Sequence, residues 1–423
     1  MRSWGGLPEG EQRELRVGWQ DQVLSVWRQQ VLPAGCGRSY GDSALAASGA
    51  VLNTCGLDHV LAFDPASGVI RCEAGVTLGQ IMQLTVPRGW MLPVLPGTRF
   101  VTVAGAVAND VHGKNHHRDG TFARHVSELA LQRSDGELIR CSPKHHQEWF
   151  SATCGGLGLT GVILWVELRL RPVSGPWLDA ETIKFHSLQE FLELSAASDD
   201  SHEYTVSWID CLGARPRGHF LRALHSAASE AAPRPGVHFK VPFALPLSPL
   251  NRFSLKVFNS GYFHRQLAPR KSRRVAWPGW FFPLDSVGHW NRLYGRRGFR
   301  QYQCVAPAEA ISELLDIIRR SGQGSLLAVL KVFGDIPSPA LLSFPRPGVT
   351  LALDFPWRGA KTTELFKRLD AVVFGNGGAI YPAKDAHMSG ADFRAAYPRW
   401  ERLEQLRDAN INSLFWRRVT GAV

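Results

Sequence analysis

This sequence predicts an α+β chain of two domains, on three observations. Its 423 residues exceed what one hydrophobic core ordinarily serves, the size at which chains divide. The first third is a series of short apolar runs broken by glycine. After Pro172 the texture changes, and strand-like runs alternate with longer helical patterns. The 41 glycines and 26 prolines supply the turns that such a chain of short strands needs.

Taken in order, 51–54 and 69–73 read as short strands. The run 129–132 leads into Ser134-Asp135-Gly136 and can return over 137–141 as a hairpin, and 162–170 alternates. Beyond Pro172, 206–209, 301–305 and 349–354 read as strands. A helix is predicted over 307–320, with Ile311, Leu314, Leu315 and Ile318 on one face and Gly322 as its cap, and another over 362–374. Repeats and low-complexity tracts are absent from the sequence.

Composition narrows the function. At 44% hydrophobic and 20% charged residues the chain is globular in make-up. The most apolar stretch, 239–258, is broken by Lys240, three prolines and Arg252, so no spanning helix is expected. The N-terminus carries no apolar signal core. Seven cysteines without a CxxC pair suit a reducing compartment, and the expectation is a cytoplasmic protein. A net charge of +11 fits nucleic acid, an acidic membrane surface or a phosphorylated substrate, but it also fits an ordinary basic surface. The segment 236–285 interleaves Lys240, Arg252, Lys256, Arg265, Arg270, Lys271, Arg273 and Arg274 with ten aromatic residues. Its prolines prevent one continuous helix, and it reads as a basic aromatic loop region. Cations among aromatics suit a membrane interface or an amphiphile with an anionic head; nucleic acid or a plain solvated loop could use the same residues.

Three glycine-dense constellations carry the chemistry. Around Gly35, Gly37 and Gly41, backbone N–H groups are exposed in a turn that can bind phosphate oxygens without a lysine. Its spacing is not that of the dinucleotide fingerprint. From Gly97 to Lys114, small residues let a flat ligand approach the backbone, and the run ends in His112-Gly113-Lys114. The third is the stretch 153–162. Gln301 and Gln303, two apart on a strand, share a face and suit paired hydrogen bonds to sugar hydroxyls. His116 and His117 would point apart on a strand and lack a carboxylate or cysteine partner, so no metal is expected.

These motifs resemble the vanillyl-alcohol oxidase (PCMH-type) FAD-binding superfamily. The wording GRSYGD, LPGTRFVTVAGAVANDVHGKNHH and GGLGLTG, with FFPLD, WNRLYG, GFRQYQ, LKVFG, LDFP and YPAKD, is similar within it to the decaprenylphosphoryl-β-D-ribose 2-oxidase family. The resemblance runs from about residue 31 to 398 and is poor around 214–276. It implies a PCMH-type FAD domain of residues 1–172 and 378–423, and a substrate-binding cap of 173–377 with an antiparallel sheet. It further implies that Gly35, Cys36, Gly37, Arg38, Ser39, Tyr40, Gly41, Asp42 and Ser43 wrap the FAD pyrophosphate. Gly97, Thr98, Thr102, Gly105, Ala106, Asn109, Val111, His112 and Gly113 would line the flavin and its ribityl chain, completed by Gly158, Ile163 and Tyr381. Gln301, Gln303, Lys331, Phe333 and Lys384 would bind substrate, with Lys384, His112, Tyr40 and Lys114 as the catalytic set.

Three departures qualify the likeness. Arg38 stands where many superfamily members tether FAD through histidine, so non-covalent FAD is expected. Leu157 stands where asparagine is common, and Ala352 where some members have cysteine. The implied reaction oxidises the 2-hydroxyl of a polyprenyl-phosphoryl β-D-ribose to the 2-keto sugar, the first half of an epimerisation to arabinose. A nicotinamide-dependent keto-reductase, a quinone or other electron acceptor, and peripheral contact with the inner face of the plasma membrane are the partners it implies, with no nucleic acid. The alternatives are an oxidase of a soluble polyol or aldonolactone, and a non-catalytic protein that keeps the fold.

Overall fold

The computed structural model describes residues 2–8, 12–25, 27, 29–232, 236–246 and 248–422. The strand signals of the first third resolve into two sheets. Val60–Asp64, Val69–Glu73, Val162–Arg169, Val126–Gln132 and Leu138–Cys141 form, in that spatial order, a five-stranded antiparallel sheet. The expected hairpin is present, with Leu129 opposite Cys141 and Arg133 N–H bonded to the Glu137 carbonyl at 2.9 Å. Glu14–Arg16, Ala50–Asn53 and Val31–Ala34 form a three-stranded parallel sheet, so the first glycine loop leaves the end of a short buried strand.

The largest sheet among the described residues has eight antiparallel strands. Their order is Arg270–Ala276, Trp177–Phe185, Gly218–His225, Tyr204–Ile209, Ala328–Phe333, Gly348–Pro356, Phe299–Ala306 and Ala379–Ile380. The two-residue period of a strand decides what each face does. Tyr302, Cys304, Leu351, Leu353 and Leu330 turn to one face and are buried with helices Ala308–Ser321 and Ala360–Gly375. The predicted stripe Ile311, Leu314, Leu315 and Ile318 supplies that contact, and Gly322 ends the helix at φ 67°. The other face carries Gln301 opposite Asp354, Gln303 opposite Ala352, and Lys331 opposite Thr350. Polar residues at these inner positions are the mark of a site.

The basic aromatic segment is not a loop throughout. Arg252–His264 is a helix, started by Asn251, whose side chain accepts from the N–H groups of Phe253 and Ser254 at 2.9 and 3.0 Å. The prolines fall before and after it, and 250–268 contains none, so the composition of the whole segment misled. Arg270–Ala276 is the edge strand, paired with Trp177–Phe185. His116 and His117 likewise sit on a helical turn, His116–Asp119, rather than a strand. Among the described residues no three His, Cys, Asp or Glu are grouped to hold a metal, and no helix is long and apolar enough to cross a membrane.

One apolar core joins Leu32 and Val51 to Leu330, Leu353, Phe415 and Trp416. A second joins Leu129 and Val166 of the five-stranded sheet to Leu178, Ala180 and Tyr204 of the eight-stranded one. The sheets therefore meet across buried apolar surface, and the site face is held against the glycine loops.

Candidate active site

The loop 35–43 is anchored on both sides. A Cβ on Gly35 would lie 2.3 Å from the Thr102 hydroxyl, and one on Gly41 would overlap the Asp385 carbonyl. Only glycine permits that approach. Tyr40 N–H bonds the Ala383 carbonyl at 3.1 Å and Asp42 N–H the Asp385 carbonyl at 3.4 Å, so two of the loop's donors are already engaged. The Arg38 Nε and the Ser43 hydroxyl are buried without a partner, while the Arg38 guanidinium lies 4.1 Å from the centre of the Trp4 ring. Buried donors without acceptors are what a bound pyrophosphate would satisfy, so the loop fits the cofactor.

Thr102 also starts the short helix Val103–Ala108, accepting from Gly105 N–H at 3.1 Å. Ala106 and Val111 are buried behind it. Asn109 reaches back to the Gly105 carbonyl at 2.8 Å, and the Tyr381 hydroxyl donates to the Asn109 carbonyl at 2.9 Å. Thr98 donates to Asp285 at 2.8 Å, which ties the second glycine segment to FFPLD. A Cβ on Gly97 would meet nothing within 4 Å, an open stretch of backbone. Gly158 has φ 77°, and Ile163 is buried in the sheet opposite Leu131. Leu157 has φ 57°, a conformation asparagine adopts far more readily than leucine. The asparagine that the resemblance implies at this position would therefore suit the backbone as well as any polar contact.

His112 leaves this segment and meets the sheet. Its Nε2 lies 3.0 Å from the Gln303 amide and its Nδ1 3.0 Å from the Lys331 Nζ. Lys331 also donates to the Gly113 carbonyl, and Gln303 to the Thr350 hydroxyl at 3.4 Å. Phe333 packs edge-on against the imidazole at 4.9 Å. Burial first, then the neighbouring Lys331, holds His112 well below its ordinary value, so the ring is neutral. Nδ1 accepts from Lys331, and the Gln303 Nε2 that faces the ring Nε2 is shared with the Thr350 hydroxyl.

A second polar group adjoins this one. Lys384 Nζ lies 3.7 Å from the centre of the Tyr40 ring. Gln301 donates to Asp354 at 2.6 Å, and the other Asp354 oxygen is buried without a partner. Burial raises Asp354 to about 7, against the pull of Gln301 and Lys384. Burial lowers Lys384, Lys331 and Lys114 to about 7. Between the two groups lies the small residue Ala352, opposite Gln303.

The structure thus brings Tyr40, His112, Gln301, Gln303, Lys331, Phe333, Tyr381 and Lys384 together. Lys114 lies at the margin of this group: its Nζ donates to the Trp280 carbonyl and lies over the Trp280 ring at 5.1 Å, and its charge adds to burial in lowering Lys331. Two participants had no sequence signal beyond their motif. Asp354 sits in LDFP, where strand alternation places it beside Gln301 only once the register is known. Arg418 clamps Asp42 at 2.9 Å and Asp385 at 2.8 Å, fixing the first loop against the segment that carries Lys384. Against the cost of burial, Asp385 and Asp370 push His387, which adjoins this clamp, up to about 9.

Comparison with known proteins places these features. The model of a FAD binding domain matches residues 21–142. A decaprenylphosphoryl-β-D-ribose oxidase of Mycolicibacterium smegmatis is 36% identical over 89% of this chain and 86% of its own length. An uncharacterized protein in the mprA 5′ region of Streptomyces coelicolor is 33% identical over 79% of this chain and 95% of its own length. The L-gulonolactone oxidase of Mus musculus is 30% identical over 40% of this chain and 39% of its own length.

Proposed function

The chain belongs to the decaprenylphosphoryl-β-D-ribose oxidase family, and on that premise we propose that it oxidises the 2-hydroxyl of a polyprenyl-phosphoryl β-D-ribose to the 2-keto sugar. It is a FAD-dependent oxidoreductase. The observation that carries the substrate reading is the meeting of Lys384, Tyr40, Gln301 and Asp354 with His112, Gln303 and Lys331 on one sheet face, against the glycine loops.

FAD, held by the loop 35–43 and the segment 97–113, would supply the hydride acceptor for oxidation at the carbinol carbon. The chain's own residues do the rest. Gln301 and Gln303 present two amides on one face for sugar hydroxyls. Lys384 supplies a cation for the phosphate or a sugar oxygen, and Lys331 holds His112 neutral and oriented. The free oxygen of Asp354 gives the hydroxyl proton an acceptor inside the site. Lys114, held by Trp280, orients that wall rather than the reacting atoms.

The same reading includes the finer organisation. Residues 1–172 with 378–423 act as the FAD half and 173–377 as the substrate half. FAD is held without a covalent bond, because Arg38 offers no nucleophile and stacks on Trp4 instead. Acid precipitation should release all the flavin; flavin left on the pelleted chain would overturn that part. Reoxidation falls to a quinone or other acceptor, and a nicotinamide-dependent reductase completes the epimerisation. Membrane contact on the cytoplasmic side would use the helix Arg252–His264 and the edge strand Arg270–Ala276. There Phe253, Val257 and Leu267 are 77%, 57% and 91% exposed beside Arg270, Lys271, Arg273 and Arg274.

The deciding experiment mixes the FAD-loaded protein anaerobically with polyprenyl-phosphoryl ribose, free ribose, polyols or aldonolactones and follows flavin bleaching. Bleaching by the lipid-linked sugar alone is expected. Equal bleaching by an aldonolactone would favour the second reading, which the mouse relative supports over only 40% of the chain.

A further inference from the structure

Five of the seven cysteines are buried, and burial raises their thiols. Cys36 and Cys55 are different. Both are partly exposed, and their Sγ atoms lie 3.4 Å apart. Their closeness follows from the backbone. Val31–Ala34 and Ala50–Asn53 are parallel neighbours with Ala34 opposite Asn53, so each cysteine stands two residues beyond a paired strand end. Thr54 N–H still bonds the Ala34 carbonyl at 3.0 Å, and Cys55 N–H bonds the Asn53 side chain at 2.8 Å, which fixes the second of the two ends. Neighbouring strands run about 4.8 Å apart, and a disulfide needs Cα atoms roughly 4.4–6.8 Å apart. Bringing the sulfurs to bonding distance is then a side-chain adjustment of about 1.4 Å. The Cys55 hydrogen bond, and then Arg38, draw the Cys36 thiol down to about 7 against burial, while Cys55 is pushed up. One thiol is therefore the attacking thiolate and the other its resolving partner.

We propose that Cys36 and Cys55 are a thiol–disulfide pair, which a peroxide oxidises to a bond that ties the pyrophosphate loop to the neighbouring strand and slows release of FAD. The Cys36 thiolate attacks a peroxide oxygen, the O–O bond breaks, and sulfenic acid and one water form after protonation. The Cys55 sulfur then attacks the Cys36 sulfur, the S–S bond forms, and the hydroxyl leaves with the Cys55 proton as a second water. Two thiols lose two electrons and one peroxide gains them. The link adds a covalent tie at Cys36, the start of the loop 35–43, to the anchors that already hold its other end at Ala383 and Asp385.

The test treats the full FAD-loaded chain with hydrogen peroxide, then alkylates it in denaturant and maps its peptides by mass. Loss of two of the seven titratable thiols is expected, in a peptide pair joining Cys36 to Cys55 that dithiothreitol separates. Free-flavin fluorescence after dilution should appear roughly tenfold more slowly from the linked protein, a small part of what a loop-closing cross-link can supply. In Cys55→Ser the pair cannot close, and peroxide should leave Cys36 as sulfenic or sulfinic acid with no slowing of flavin release. Cys36→Ser should leave Cys55 unoxidised. Both thiols still free after peroxide, or Cys36 over-oxidised with Cys55 intact in the unmutated chain, would overturn the pair. A linked protein that releases flavin at the reduced protein's rate would overturn its effect on the cofactor. The peptide map does not depend on which sugar is oxidised, so this inference and the substrate reading fail separately.

Discussion

The eight-stranded sheet has cations near it in two opposite circumstances. At the site end, Lys331 on an interior strand and Lys384 just beyond the last strand lie against the glycine loops, where burial lowers both to about 7. At the other, Arg270, Lys271, Arg273 and Arg274 line an exposed edge strand, with Arg274 reaching Asp179 at 3.4 Å. Charge in water is screened within about 10 Å and acts on whatever large surface approaches. Charge out of water acts on single atoms, and its protonation becomes part of the chemistry. On the proposed reading, the same residue types therefore serve turnover at one end and association at the other.

The largest effect should come from the buried end. Lys384→Ala should leave FAD bound and lower turnover by on the order of 2–4 kcal/mol, roughly thirty- to a thousandfold. Lys384→Arg should rescue poorly, because the forked guanidinium donates along other directions. Lys361, exposed at the start of helix Ala360–Gly375, is the control, and its alanine variant should turn over normally. Equal rates for the two alanine variants would remove Lys384 from the site.

Asp354→Asn tests the carboxylate that Lys384 faces. Asparagine can keep the Gln301 contact but cannot take a proton. Turnover should fall by roughly ten- to a hundredfold, the usual range for a lost general base. The rise of rate through pH 7 expected of the parent should vanish, since burial places Asp354 at about 7. A variant that keeps that rise would assign it to another group.

The exposed end should respond to salt and lipid instead. Reversing Lys271, Arg273 and Arg274 to Glu should release the protein from anionic vesicles, at about 1 kcal/mol per cation near the surface. Turnover of a short-chain soluble substrate should be unchanged. Vesicle binding that survives the reversal would mean this edge strand serves something else.

The smallest effect is on stability. Lys114, Lys331 and Lys384 sit at about 7 when folded, against 10.5 ordinarily. Between those values the unfolded chain binds more protons, so the stability of flavin-free protein should rise with pH across that window. Below about 7 the cost of burying the charges is fully present. Asp354 has the opposite slope, from 3.8 up to about 7, because there the folded chain holds the extra proton. Thermal unfolding of Lys331→Met between pH 7 and 10 should show a shallower rise than the parent; an identical slope would sink the account.

Much of this was legible in the sequence, for a local reason. Glycines at 35 and 41 mark a loop that other segments must approach closely, and Gln301 and Gln303 share a face because a strand repeats every two residues. The stripe from Ile311 to Ile318 and its glycine stop are likewise short-range physics. These signals need only neighbouring residues, so one chain suffices to read them. The helix Arg252–His264 is masked in the sequence by the prolines that flank it on both sides. What only tertiary structure decided is which distant residues meet. Lys331 lies 219 residues from the His112 it holds, and Asp354 lies 53 from Gln301. Lys114 faces Trp280, 166 residues away, instead of joining Lys384. Cys36 and Cys55 pair because two strands run parallel in one particular register. Register and chain crossings depend on the packing of both apolar cores at once, and no local pattern encodes them; the sequence determines the parts of the site, and the cores determine their partners.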